Sequence, residues 1–216
     1  TVCLVPAAVA LFIDATTEQV NSRAAKVAGF ILCCGGISVT QPNGIFVCAV
    51  FLIPYTVSIC VKRTEGTRLA DRMGNRNTKL IIGFASAASI MLLWFLIYKM
   101  PAFQSVVSYY WSPISTIWQA MVDCILFAYP IQPASVFVAA LCAAGALRLL
   151  HEKPYWPLFS CLLAVTLYIV SAGFGNNIIK HILTGFWYTD PYRVAAMLAF
   201  CSVPIAYSGF TSLLKT

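Results

Sequence analysis

Apolar runs close to the length of a bilayer crossing recur along this chain, and they leave little choice of fold. Leu80–Tyr98 and Val194–Leu214 are the clearest, since a helical span needs about 20 predominantly apolar residues. Val2–Ile13, Ala24–Val39, Ile45–Val61, Ala134–Leu150 and Trp156–Gly173 complete a set of seven. Ala24–Val39 is short and carries Gly35-Gly36 near its end, so a broken or re-entrant span is expected there. Pro54 and Pro204 fall inside runs and predict kinks. Ala85 and Ser89, four residues apart, predict a close helix approach. The fold class is therefore all-α, a polytopic transmembrane helix bundle of about seven spans. Residues 1–216 read as one transmembrane domain. Because the chain opens and closes beside apolar runs, it reads as a piece of a longer membrane protein.

Composition excludes a soluble alternative. The chain is 60% hydrophobic and 10% charged, where soluble domains carry about 25% charged residues. The net charge of +7 would suggest nucleic acid in a soluble protein. Here topology explains it, because lysine and arginine gather in cytoplasmic loops. With the Lys62–Lys79 loop placed in the cytoplasm and the spans alternated, eleven of the fourteen basic residues fall inside. Lys99, Lys180 and Arg193 fall outside. Lys26 lies close enough to the cytoplasmic end of its span to snorkel. The chain is thus expected to be an integral plasma-membrane protein. Its partner is the lipid bilayer, and the Phe174–Arg193 loop is extracytoplasmic.

Nine cysteines are present, eight of them in apolar runs and none in a C-x-x-C pair, so they read as packing residues. No metal site is expected from them. Within the 99–133 loop, Ser112-Pro113 resembles a helix start. Ile114, Ile117, Trp118, Met121 and Ile125 then share one helical face, opposite Ser115, Gln119 and Asp123. That pattern predicts an amphipathic helix lying on the membrane surface, with Asp123 on a solvated face.

The stretch richest in chemistry is Gly185–Arg193. Asp190-Pro191 reads as an N-cap followed by proline at the first helical position. Arg193 then lies in the first turn, where free N–H groups and the helix dipole also favour an anion. Trp187, Tyr188 and Tyr192 supply aromatic rings, which suit the apolar faces of a sugar, and the arginine suits a phosphate. The plainer account is a capped, headgroup-anchored helix with an aromatic belt. Asp190 is a candidate for a base, which His181 could assist, or for holding a divalent cation. His181, Gln41 and Asn43 are further candidates to line the same site. No G-x-S-x-G, P-loop, H-E-x-x-H or dinucleotide fingerprint occurs.

Trp187–Arg193 followed by Val194-Ala195-Ala196 resembles the W-Y-x-D-P-x-R-x-A-A segment of large polytopic membrane proteins of actinobacteria, a family of unassigned function. Gln41-Pro42-Asn43 resembles its H-P-N turn, with glutamine in place of histidine. These proteins look like C-type glycosyltransferases, which use polyprenyl-phosphate-linked sugars on the exterior face. The resemblance implies binding roles for Asp190 and Arg193, and leaves the catalytic carboxylate of such enzymes in a loop this chain lacks. It implies part of a membrane glycosyltransferase or related cell-envelope polysaccharide protein. Two alternatives stand beside it: a transporter or flippase for a lipid-linked or anionic substrate, and a non-catalytic membrane scaffold.

Overall fold

The computed structural model describes residues 4–17, 20–64, 75–129 and 133–214. Arg68, Arg72 and Lys215, which enter the charge asymmetry above, lie outside the described residues. The regular structure among the described residues is all helical, without strands. In order they form α1 (Leu4–Thr17), α2 (Val20–Thr40), α3 (Asn43–Arg63) and α4 (Asn75–Lys99). A 3-10 turn at Pro101–Phe103 runs into the single-turn α5 (Gln104–Val107), followed by α6 (Ile117–Leu126). Then come α7 (Val136–Glu152), α8 (Trp156–Gly173), the short α9 (Ile178–Thr184), a 3-10 turn at Gly185–Trp187, and α10 (Pro191–Leu213).

Five segments are long and apolar enough to cross a membrane: Ser22–Thr40, Asn43–Arg63, Arg76–Lys99, Trp156–Gly173 and Pro191–Leu213. This is the pattern of a multi-pass integral membrane protein. The other two apolar runs also form helices, α1 with 14 residues and α7 with 17. α2 departs from expectation, being an unbroken 21-residue helix through Gly35-Gly36. In a helix, two glycines cost only about 1 kcal/mol each relative to alanine, which its length absorbs.

The chain divides into two compact units, Thr1–Leu52 and Ile53–Thr216. In the first, α1 and α2 pair as a hairpin. Phe12 and Phe30 pack with ring centroids 5.3 Å apart, and Lys26 Nζ lies 3.6 Å from Asp14 Oδ2. Lys26 of α2 thus meets an acid on α1. In the second unit, α10 is the central post, against which α7 and α8 both pack while scarcely touching one another. α7 crosses α10 at glycines. A Cβ on Gly145 would run into the Ile205 carbonyl and one on Gly209 into that of Leu141. Further along the same pair, Arg148 Nη1 donates to Ser208 O at 3.2 Å and to Thr211 Oγ1 at 2.7 Å.

The predicted tight contact at Ala85 and Ser89 takes another form. Both line an open groove with Thr56, Val57 and Cys60 of α3, and the membrane-length window of α4 has no buried residues.

The amphipathic helix exists, but starts later and faces the other way. Ile114 N and Ser115 N both donate to Ala172 O, at 3.0 and 3.2 Å. The backbone after Pro113 is therefore committed to α8 instead of a helical turn. Thr116 caps α6 in place of Ser112, its side chain accepting from Gln119 N at 3.2 Å. Trp118 is 78% exposed, and Met121 and Ile125 are exposed with it, whereas Asp123 is 7% exposed. The solvated polar face expected for Asp123 is thus corrected. Asp123 therefore turns to the protein while Trp118, Met121 and Ile125 turn outward, with Gln119 exposed at the border between the two faces.

Candidate functional site

The start of α10 is fixed by a short, strained corner. Tyr188 and Thr189 both take left-handed backbone conformations, with φ of 61° and 53°. A β-branched threonine is rare there, and its hydroxyl explains its use. Thr189 Oγ1 accepts from Trp111 N at 2.7 Å and donates to Tyr109 O at 3.3 Å. Ser171 Oγ of α8 donates to Thr189 O at 3.3 Å. The corner thereby stitches the 109–111 segment, α8 and α10 together.

Asp190 then caps α10. Its Oδ1 accepts from Tyr192 N at 2.9 Å, with Pro191 at the first helical position, as the dipeptide predicted. Its Oδ2 lies 3.3 Å from Arg193 Nε. The guanidinium carbon of Arg193 sits 4.7 Å above the Tyr188 ring, within cation–π range. The Arg193 side chain is 44% exposed. Among the described residues no hydrogen bond engages its two terminal amino groups. The side chain is held by its Nε edge and one face, with its far edge presented outward.

Around it lies a crescent of rings. Tyr109 stands edge-on to Tyr188 at 5.9 Å and 6.4 Å from Trp111, which stands edge-on to Tyr192 at 6.3 Å. Tyr109, Trp111 and Tyr192 are all exposed. Tyr109 and Trp111 were not singled out by the sequence, although the Tyr109-Tyr110-Trp111 run was the available signal. Trp187 is elsewhere. It is buried in the core with its ring 6.0 Å from that of Trp94, which also packs edge-on against Phe186 at 4.8 Å. Trp94 Nε1 donates to Ile182 O at 2.8 Å.

Two basic residues of α9 serve the scaffold beneath the crescent. Lys180 is fully buried. Its Nζ donates to Trp111 O at 2.9 Å and Phe174 O at 3.0 Å, and lies 5.3 Å from the centroid of the Tyr110 ring. Burial lowers its pKa below the ordinary lysine value. His181 Nδ1 faces Val107 O and Nε2 faces Asn176 Oδ1, each at 2.8 Å. A carbonyl only accepts, so Nδ1 carries the hydrogen. Gly185 packs so close to Val107 that a Cβ would fall 3.0 Å from its Cα.

Asp123 is the acid that sequence reasoning left in solvent. It is buried on the inner face of α6, accepting from Gln119 Nε2 at 2.8 Å. The hydroxyls of Tyr168 and Tyr129, whose rings are 5.4 Å apart, are buried without a hydrogen-bond partner among the described residues. Gln41 and Asn43 belong to the first unit. There Gly44 N donates to Gln41 O at 2.8 Å in the α2–α3 turn, and Asn43 Oδ1 is buried without a partner among the described residues. Among the described residues no three His, Cys, Asp or Glu side chains gather as metal ligands.

The second unit thus joins Tyr188, Tyr192, Tyr109 and Trp111 around the Asp190–Arg193 pair, with the arginine its exposed cationic member. Such a spot can take an anion at the guanidinium and a flat apolar face on the rings. No curated protein and no solved structure matches the chain. A family model matches residues 1–216 in full, and the chain belongs to that family, DUF6541, a family of unknown function.

Proposed function

We propose that this chain is part of a membrane glycosyltransferase, or of a related cell-envelope polysaccharide protein, that uses a lipid-phosphate-linked sugar. The observation that carries this reading is Arg193. One edge of its guanidinium is held by Asp190 and one face by Tyr188, at the start of a 23-residue helix, and the Tyr188 ring in turn packs on Tyr109. A phosphate would pair with the free edge of the guanidinium, since Pro191 has no N–H and Asp190 already takes the Tyr192 amide. The sugar would stack on Tyr109, Trp111 or Tyr192. With one oxygen capping and the other on Arg193, Asp190 acts here as the positioning residue for that arginine.

The site lies on the extracytoplasmic face in this reading, with α1 and α7 also crossing the membrane to give seven spans. The basic Lys62–Lys79 loop supports that orientation. The interlocking of residues 107–116 with 172–189 supports it too, since loops that bond to one another share whichever side they face.

The test is replacement of Arg193 by Gln and of Asp190 by Asn in the protein within its native membrane, followed by analysis of the envelope glycan. Loss of a glycan component at normal protein level is expected. An unchanged glycan at normal protein level overturns the reading.

A further inference from the structure

α6 is a lintel. At one end it is tied to the close of α8, where Ile114 N and Ser115 N donate to Ala172 O and Ile117 packs on Gly173. At the other end Leu126 O accepts from Ser135 N at 2.9 Å, just before α7 begins. α7 and α8 both lean on α10 and diverge from one another. Beneath the lintel this leaves a groove of about 620 Å³ whose back wall includes Leu198 and Ile205 of α10. Ala139, Ala140, Ala143 and Ala146 keep the α7 wall low, and Cys161 and Leu162 belong to the α8 wall. The lining is all apolar or thiol, and its rims are open, with Val136 67% and Leu162 60% exposed.

We infer that this groove holds one acyl chain of a membrane phospholipid from the leaflet on the α6 side. The stretches of α7, α8 and α10 that line it are apolar, and α8 and α10 are long and apolar enough to cross a membrane, so the medium at its mouth is taken as bilayer hydrocarbon. On α7 the lining runs from Val136 to Ala146, about 15 Å at about 1.5 Å per residue. That is half of the roughly 30 Å hydrocarbon thickness, the depth that one leaflet's chains occupy. A further membrane-spanning helix does not fit, because Cys124–Phe127 of the lintel cross the head of the groove. A polyprenyl chain much longer than one leaflet would overrun its length. The alanines are what the occupant needs: larger residues there would fill its place. This inference does not rest on the function proposed above.

The experiment reconstitutes the protein in nanodiscs of phospholipid carrying a photoactivatable diazirine in mid-chain, irradiates it, and maps the adducts. Adducts at Ala143, Cys161 and Leu162 are expected to exceed those on the exposed α4 residues Phe84 and Leu92 by about tenfold, equivalent to about 1.4 kcal/mol of preference. Ala143→Phe abolishes the excess, while Ala88→Phe on the exposed face of α4 preserves it. Native mass spectrometry of the unaltered protein gives a reading that needs no variant: one phospholipid retained per chain. Groove adducts no more frequent than those on α4 overturn the inference. So does preferential labelling by a diazirine polyprenyl phosphate, or retention of no phospholipid.

Discussion

Gly145 and Gly209 face each other where α7 crosses α10, so close that a Cβ on Gly145 would lie 2.8 Å from Gly209 N and inside the Ile205 carbonyl. Backbone, unlike a side chain, cannot rotate away. Gly145→Ala is therefore expected to force the helices apart and cost about 3 kcal/mol or more, at the upper end for overpacking. Gly83 is the control, because nothing lies within 4 Å of a Cβ there. Gly83→Ala is expected to be neutral or to gain about 0.5–1 kcal/mol from helix propensity. Unfolding in mixed detergent micelles measures both. Equal effects would remove the crossing from its place as the core of the second unit.

Asp190 performs two tasks that substitutions separate. Asparagine keeps the cap and loses the ion pair with Arg193, which is partly exposed and contributes about 0–1 kcal/mol. Alanine loses both, and a lost N-cap costs about 0.5–2 kcal/mol. Asp190→Asn is thus expected to fold almost as the native protein does while releasing Arg193. Asp190→Ala should show the larger loss in unfolding measurements. Were Asn as damaging as Ala, the cap would not be what carboxylate Oδ1 contributes.

The start of α10 could be read in advance because its signal is local: an Asp that caps and a Pro that fits the first turn. The long apolar runs could be read for the same reason. Ser112-Pro113 carries the same local signal and fails, because the amides after it are taken by Ala172 O of α8. Asp123 was misplaced by a sign. A polar-apolar helix has two faces whose order is legible from its residues, but not which surroundings each meets, and here Asp123 turns inward. The Gly145–Gly209 contact, spanning 64 positions, and the Tyr109–Trp111 crescent depend on pairings far apart in the chain. No local pattern encodes those.

Thr189 tests the corner that holds the crescent. Valine keeps its shape and removes the hydroxyl that meets Trp111 N and Tyr109 O. The unmet amide alone implies a loss of about 1–3 kcal/mol. Thr189→Val is expected to speed hydrogen exchange at the Trp111 amide and to loosen residues 109–111. Thr189→Gly relieves the left-handed strain but loses the same bonds, and should loosen the segment equally. Normal protection at Trp111 in both variants would show that the hydroxyl is not the tie.

Lys180 gives the same scaffold a pH dependence through its burial. Its Nζ serves Trp111 O and Phe174 O from a fully buried position, and burial lowers its pKa from 10.5. The folded state therefore releases this proton at lower pH than the unfolded state does. Between the lowered folded value and 10.5, the unfolded chain binds more protons. Stability then rises with pH across that window, and the cost of burying the charge is fully present below it. Lys180→Met removes the charge and leaves two carbonyls without their donor, for a net loss of about 1–3 kcal/mol at neutral pH. The difference in unfolding free energy between native protein and Lys180→Met should widen as pH climbs toward 10.5. The other titrating groups cancel in that difference. A gap that narrows with pH would mean that the buried ammonium is stabilised by its carbonyls and ring beyond its desolvation cost, reversing the sign.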